Sequence, residues 1–322
     1  MRSPAGPVCA VFTLVATGLL PRTALAHAGM PPAPHDLWSS WSLDPWVVVP
    51  IALASTLYVI GAGRLAERSR RGRVLPRWRR VAFAGGMLLM AIALVSPLDS
   101  LGSALFAAHM AQHEVMIVLA APLLVLGTPV VPMLWALPPS WRQGIGAWSR
   151  RMLRGPWHAI TEPAVAFVVH ALAVLVWHVP AFYQATLTSD AIHALQHLSF
   201  IGTAVIFWWA MLGGGRHRRA RYGAAVLGLF GTALYGAALG ALLTFAEAPW
   251  YPAYGSWALV WGLTPLEDQQ VGGLIMWIPA GLVHLPTALA FVALWANLFG
   301  TTEDRHSRPP ADVRRPSLRT PA

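Results

Sequence analysis

The chain contains little charge, no lysine and almost no cysteine. Charged residues make up 11% of its 322 residues, and the only cysteine is Cys9. Without lysine the chain cannot hold retinal through a Schiff base, and with one cysteine it cannot form an internal disulfide. Because Cys9 falls in a predicted leader peptide, a thiolate metal site is excluded as well. Any bound metal must therefore use histidine, methionine or oxygen ligands.

Apolar residues dominate what is present. Hydrophobic residues make up 56% of the chain, which is typical of an integral membrane protein rather than a soluble domain. A span needs about 20 apolar residues, and seven segments qualify or come close. They are residues 46–63, 81–96, 105–126, 159–179, 191–212, 223–246 and 271–299. The prediction is an all-α, polytopic membrane helical bundle of about seven transmembrane helices.

Arginine alternates between the connections of these spans and indicates their orientation. All 21 arginines after Arg22 lie in residues 64–80, 142–154, 216–221 and 305–319, and the intervening connections carry none. By the positive-inside rule the mature N-terminus is predicted to lie outside and the C-terminus inside a bacterial inner membrane. The net charge of +10 then indicates contact with anionic lipid headgroups and no nucleic-acid partner.

The two termini are predicted to lie outside the membrane domain, residues 46–300. Residues 1–26 resemble a cleaved signal peptide, with Arg2, an apolar stretch and a small-residue cleavage site. The alternative is an uncleaved first transmembrane helix. Residues 27–45 would form a periplasmic leader, in which the amine and imidazole of His27 either chelate copper or belong to a flexible segment. Residues 301–322 are predicted to be a disordered cytoplasmic tail.

Two histidine pairs with the spacing of one helical turn carry the main functional prediction. His109 and His113 begin one predicted span, and His193 and His197 begin another that enters from the same side. Residues four apart are neighbours on a helix, so each pair can offer two nitrogens to one ion. A packing role is the alternative for each histidine alone. Two pairs of matched spacing and depth favour metal or proton chemistry.

Three further residues are predicted at the same depth. His178 ends the span that precedes the second pair, and Asp268 begins the last span. The carboxylate of Asp268 either caps its helix or orients a ligand imidazole. Glu114 follows His113 directly, and an acid inside a membrane is by default functional, as a proton acceptor or as a counter-charge for a metal.

Residues deeper in the membrane form a second candidate binding position, whose ligands are softer. His170 and Met276 each lie about 12 Å further into the bilayer than His178 and Asp268. Imidazole and thioether both suit cuprous copper, so a step from the outer cluster to Met276 and His170 is a hypothesis for inward copper movement, with packing as the alternative. His284 lies deeper still and cannot share the outer site directly.

Two other chemistries are less consistent with the pattern. A zinc protease needs glutamate directly after the first histidine of each pair, where this chain has Met110 and Ala194. A haem protein needs axial histidines on facing helices, whereas here each pair lies on one helix face. Haem-based electron transfer therefore stays a third alternative, and catalysis is not expected.

Four separated motifs resemble, in the same order, the membrane CtaG family of cytochrome c oxidase assembly factors. They are His109-Met110-x-x-His113 followed by Ala121-Pro122-Leu123-Leu124, Trp177-His178-x-Pro180, His193-x-x-x-His197 with Phe207-Trp208-Trp209, and Asp268-Gln269-Gln270-x-Gly272-Gly273-x-x-Met276-Trp277. The resemblance implies functional roles for His109, His113, His178, His193, His197, Asp268 and Gln269. His170, His284 and His27 lie outside the pattern.

The resemblance and the residues together predict a copper-handling assembly factor. The chain would bind copper, as Cu(I), near its periplasmic face and would aid copper-site formation in a haem-copper cytochrome c oxidase. Zinc is an alternative metal. A copper transporter or permease is the competing function. The predicted partners are an oxidase subunit or other assembly factors and membrane lipid, and the oligomeric state stays open.

Overall fold

The computed structural model describes residues 31–68, 75–213 and 218–306. The structure is 83% helix and has no strand among these residues, which confirms the predicted all-α fold. The predicted signal peptide, His27 and the last 16 residues of the predicted tail, 307–322, lie outside the described residues. The predictions made for them stay predictions.

Fourteen α-helices, one π-helix and two short 3₁₀-helices, Leu37–Ser39 and Pro252–Tyr254, build the described part of the chain. In chain order the α-helices are α1 (Pro45–Arg68), α2 (Arg77–Leu94), α3 (Pro97–Leu101), α4 (Phe106–Glu114), α5 (Ala121–Leu126), α6 (Val130–Ala136), α7 (Pro139–Met152), α8 (Arg154–Ile160), α9 (Pro163–Trp177), α10 (Pro180–Thr188), α11 (Asp190–Leu212), α12 (Arg218–Thr244), α13 (Trp257–Val260) and α14 (Pro265–His306). The π-helix, Val115–Ala120, joins α4 to α5, so that residues 106–126 form one continuous rod.

Five helices among the described residues are long and apolar enough to cross a membrane. They are Pro45–Arg68, Phe106–Leu126, Asp190–Leu212, Tyr222–Thr244 and Pro265–Ala296. The pair α8 and α9 is a sixth candidate, bent by 70° between its two halves. The chain is therefore a helical membrane protein, and the predicted total of seven spans is not confirmed.

The remaining predicted span, residues 81–96, corresponds to α2. Three arginines, at positions 77, 79 and 80, occupy the first turn of this 18-residue helix. Its uncharged part, residues 81–94, is about 21 Å long at 1.5 Å per residue. The hydrocarbon core of a bilayer is about 30 Å thick, so the uncharged part of α2 is shorter than that thickness, and α2 is not among the five candidate spans.

Helices α12 and α14 cross with their backbones almost in contact. A Cβ atom added at Gly240 would lie 2.7 Å from the carbonyl oxygen of Gly273, and one added at Gly273 would lie 2.6 Å from the carbonyl oxygen of Gly240. Small residues at a crossing allow helices in a membrane to pack this closely. The crossing fixes α14 two turns from its N-terminus, near the candidate site.

The two ends of the bundle differ in chemistry. At one end the guanidinium of Arg64 donates to the carbonyl oxygens of Trp135 and Ala136, and Arg79 donates to the Thr128 hydroxyl. At the other end lie the starts of α4, α11 and α14 and the end of α9, which carry the predicted site residues. We name these the arginine end and the histidine end.

Apolar side chains that face away from the bundle are widely exposed, whereas the aromatic core is buried. Leu227 and Leu282 are 73% and 71% exposed, while Phe200 and Phe207 are fully buried. Such extensive apolar exposure is unusual for a soluble protein and is what a lipid-facing surface requires. The core therefore lies along the bundle axis, directly beneath the histidine end.

Candidate metal centre

Four imidazoles from two helices gather at the histidine end. Within each pair the ring centroids are close, 4.3 Å for His109 and His113 on α4 and 4.2 Å for His193 and His197 on α11. Between the helices the centroids of His109 and His193 are 5.3 Å apart, as are those of His113 and His197. We call these four residues the histidine cluster. The two predicted pairs therefore lie opposite each other on neighbouring helices.

Three residues of the histidine cluster could hold one metal ion. His109, His113 and His197 each present one ring nitrogen, and these three atoms lie within 4.8 Å of one another. Both nitrogens of His113 and the Nε2 atoms of the other three residues are buried without a hydrogen-bond partner in the described structure. Buried polar atoms without partners are costly, and coordination of a metal would satisfy them. The donor set suits copper or zinc.

Asp268 fixes the helix that carries the first pair. Its carboxylate accepts hydrogen bonds from the backbone N–H groups of Phe106, at 2.7 Å, and Ala107, at 3.0 Å. These are the first two residues of α4, where N–H groups have no partner within the helix. Asp268 therefore caps a helix other than its own, and it acts on the cluster by positioning His109.

Gln269 fixes the loop over the site. Its Oε1 accepts from the backbone N–H of Trp250 at 2.6 Å, and its Nε2 donates to the Leu243 carbonyl oxygen at 3.4 Å. Both amide groups are engaged with backbone, so the side chain holds residues 243–250 against α14. The structure thus places Gln269 in a supporting position outside the cluster.

His178 shares aromatic neighbours with the cluster. The ring of Phe200 lies 4.7 Å from the His113 ring and 6.4 Å from the His178 ring. The Nδ1 of His178 donates to the Val174 carbonyl oxygen at 2.7 Å, and its buried Nε2 has no hydrogen-bond partner in the described structure.

Glu114 marks the start of the π-helix. Its Oε2 atom is buried without a hydrogen-bond partner in the described structure. The wider π turn disturbs the regular ladder of hydrogen bonds, and the Ile117 carbonyl oxygen accepts from the indole N–H of Trp208 at 2.9 Å. Single π turns often occur at functional sites, because they change which side chains share a helix face.

A cavity continues from the histidine cluster into the bundle. It has a volume of about 40 Å³, counted as space open to the centre of a water molecule. That is room for about three waters. Its polar and sulfur-containing walls include Met110, His113, Glu114, His170, His178, Tyr235, Met276 and His284. The deeper predicted residues His170, Met276 and His284 therefore face one space together with Glu114.

Comparison with known proteins identifies the family. Residues 56–297 match the family of cytochrome c oxidase caa3 assembly factors, Caa3_CtaG. The match covers most of the chain and includes every predicted site residue except His27. The chain belongs to the Caa3_CtaG family. The predicted family resemblance is confirmed.

The curated relatives are longer proteins without an assigned function. Uncharacterized proteins from Mycobacterium bovis and Mycobacterium tuberculosis are each 28% identical to this Caa3_CtaG chain over 291 residues. One from Mycobacterium leprae is 28% identical over 289 residues. Each match covers 86% of this chain and 43% of the relative, so the chain spans less than half the length of these proteins. No solved structure matches the chain.

Three tyrosines that the sequence analysis did not single out pack together at the histidine end, and one of them, Tyr183, contacts the histidine cluster. Tyr183 is fully buried, 5.4 Å from His109 between ring centroids, and 4.2 Å from Tyr251. Tyr254 donates to the Gly102 carbonyl oxygen, so Tyr183 is the donor in the 2.8 Å bond between the two hydroxyls. Burial raises the pKa of both Tyr183 and Tyr254, so both hydroxyls keep their protons. In the sequence, the only sign of a role for these tyrosines was that they lie in connections without arginine, on the same side as the histidines.

Two glutamines beside the histidines were missed as well. Gln112 and Gln196 are fully buried. Gln112 donates from Nε2 to the Ala93 carbonyl oxygen at 2.8 Å and to Asp99 at 2.7 Å. Both amide atoms of Gln196 lack a partner in the described structure. Their signal was a polar residue directly before a histidine inside an apolar span, in Gln112-His113 and Gln196-His197.

Proposed function

We propose that the histidine cluster binds cuprous copper and that the protein delivers this copper to a cytochrome c oxidase during assembly. The observation that carries the proposal is the set of three ring nitrogens within 4.8 Å of one another on two helices. Family membership supplies the target, since the family consists of cytochrome c oxidase assembly factors. We choose copper because it binds well to histidine nitrogens and is also a metal that a haem-copper oxidase needs.

The orientation of the bundle agrees with delivery from the periplasmic side. Arginine contacts lie at the end opposite the cluster, and the positive-inside rule assigns that end to the cytoplasm. Within the cluster His109 and His113 are buried, whereas His193 and His197 are partly exposed. A partner subunit would therefore receive copper through the side formed by α11, with His193 as the last protein ligand.

Alanine variants of the cluster test copper binding. His109→Ala and His197→Ala should each lower the copper content of protein purified with Cu(I) and should lower oxidase activity in the host membrane. Each removes one of the three close nitrogens. Copper is measured by mass spectrometry against protein concentration, and immunoblots of membrane fractions check insertion.

His158→Ala is the matched control, because His158 is exposed on α8 and belongs to no cluster. It should keep both the copper content and the oxidase activity. Unchanged copper content in His109→Ala and His197→Ala would reject the site. If the protein bound zinc instead of copper at the same stoichiometry, the proposed metal site would be supported and the proposed identity of the metal would be rejected.

A copper permease is the second candidate function, and the cavity favours it. Copper that entered the cavity from His113 could meet three further ligands in its wall, Met276, His170 and His284. Uptake of copper into proteoliposomes containing the purified protein would support transport, whereas copper bound without uptake supports delivery on one side of the membrane.

Haem binding, the third predicted alternative, is less consistent with the structure. The cavity has room for about three waters, which is too little for a porphyrin. The rings of the cluster are only 4.2–6.2 Å apart and fill the space between their helices. Purified protein without a Soret absorption band would reject haem.

A further inference from the structure

The cavity below the histidine cluster has the features of a second metal site. His113 belongs to both, since its ring contacts the cluster and also lines the cavity wall. Three more imidazoles line the cavity, from His170 and His178 at α9 and from His284 on α14. None of these three belongs to the close group formed by His109, His113 and His197.

The hydrogen bonds of these imidazoles leave a lone pair on each Nε2 atom. The Nδ1 atoms of His178 and His284 donate to carbonyl oxygens one turn earlier, at 2.7 Å and 2.8 Å. At His170 the partner is the hydroxyl of Thr203, 3.0 Å from Nδ1, which gives its own proton to the Ser199 carbonyl oxygen. Nδ1 is therefore the donor in all three rings, and Nε2 is the atom free to bind a metal.

A soft ligand and a carboxyl group are present in the same space. Met276 supplies a buried thioether, and thioether sulfur with imidazole nitrogen is a ligand pair that favours cuprous copper. The buried Oε2 atom of Glu114 has no partner, and the only ion pair among the described residues, His35 with Asp36, is elsewhere. A monovalent cation in the cavity would balance a carboxylate at Glu114, so that no net charge is buried.

We propose that the cavity binds a second cuprous ion, coordinated by the Met276 sulfur and the His170 Nε2, with the Glu114 carboxylate as its counter-charge. Cuprous copper accepts low coordination numbers, so two strong ligands in a narrow cavity are sufficient. His113, on the wall shared with the cluster, is the residue through which copper would pass between the two positions. The inference rests on the proposed function for the identity of the metal, and it adds a second position with different ligands.

X-ray absorption at the copper edge tests the inference, because the two positions differ in sulfur. The full chain loaded anaerobically with excess Cu(I) should hold two copper ions, and its spectrum should contain a copper–sulfur shell besides the copper–nitrogen shell. Met276→Leu should remove the sulfur shell and one copper ion. Met211→Leu is the matched control, since Met211 is also buried but does not line the cavity, and it should keep both.

Two further variants separate this inference from the proposed function. In the double variant His109→Ala/His197→Ala the cluster copper should be lost while the sulfur shell remains. Glu114→Gln should keep the sulfur ligand but weaken Cu(I) binding at the cavity by tenfold or more in a chelator competition. A wild-type spectrum with nitrogen scattering alone, or a sulfur shell that survives Met276→Leu, would overturn the cavity site and leave the cluster untouched.

Discussion

At the scale of single residues, Asp268 shows how an acid can position a histidine on another helix. Its carboxylate lies on α14 and accepts from two N–H groups at the start of α4, which places His109 one turn further on. Hydrogen bonds to a charged group each contribute about 1.5–3 kcal/mol, and a carboxylate also interacts favourably with the helix dipole. The position of the cluster therefore depends on a residue 159 positions away from His109 in the sequence.

Replacement of Asp268 should weaken both the fold and the site. In Asp268→Asn the amide cannot accept both N–H bonds with full charge, so the unfolding free energy should fall by about 1–3 kcal/mol. Copper content should fall with it, as measured by thermal unfolding in detergent and by metal analysis. Glu267→Gln is the control, because that neighbour is exposed and bonds only to Thr264. Full copper content in Asp268→Asn would contradict the positioning role.

Asp99 gives a prediction for pH. Burial raises the pKa of its carboxyl above the usual value, although the hydrogen bond from Gln112 opposes the shift. The folded protein thus binds this proton more tightly than the unfolded chain does. The stabilising contribution is present at low pH and is lost as the pH rises through the raised pKa.

Asp99→Asn should therefore raise the melting temperature at pH 8 relative to the wild type, because no charge is then buried. The difference should shrink as the pH is lowered towards 4. Thermal unfolding in detergent across this pH range measures it. A difference that is the same at every pH would show that Asp99 acts through packing alone.

At the scale of helices, the close contact between α4 and α14 requires glycine. A Cβ atom at Gly272 would overlap the ring of Phe106, the first residue of α4, and would lie 3.4 Å from Ala107. Phe106 is buried among Tyr183, Tyr251 and Tyr254, so its ring has no open direction in which to move. Two features therefore keep the start of α4 close to α14. Asp268 accepts hydrogen bonds from the first N–H groups of α4, and Gly272 leaves room for the Phe106 ring.

Gly272→Ala should push α4 away from α14 and lower copper binding. Overpacking of a filled core costs about 1–3 kcal/mol, which should appear as a lower melting temperature. Gly281→Ala on the same helix is the matched control, since nothing lies within 4 Å of a Cβ atom there. Equal melting temperatures and equal copper contents in the two variants would contradict the close contact.

At the scale of the whole molecule, a metal in the histidine cluster would connect two helices that are distant in sequence. A ligand that binds only the folded state stabilises it by about 2.7 kcal/mol at a hundredfold excess over its dissociation constant. Cu(I) should therefore raise the melting temperature, and a cuprous chelator should reverse the increase. His109→Ala/His197→Ala should show a much smaller increase, and an equal increase in both proteins would place the stabilising copper elsewhere.

Sequence patterns predicted the parts of the site that depend on one helix at a time. The spacing of His109 and His113, and of His193 and His197, is a local property, and both pairs lie on helices as predicted. The grouping of His178 with them depends on packing between helices and stays a prediction, although His178 and His113 line the same cavity. The tyrosines were missed because Tyr183 on α10 meets Tyr251 and Tyr254, about 70 residues later in the chain, only in the folded protein.

The sequence by itself determined that the chain is helical and apolar, that its arginines and histidines fall at opposite ends, and to which family it belongs. These properties follow from composition, helical period and ordered motifs, none of which needs a tertiary contact. Only the tertiary structure decided which imidazoles meet, which helix Asp268 caps and what surrounds the cavity. Those depend on the rotation of each helix against its neighbours, which is set by side-chain packing across the whole bundle.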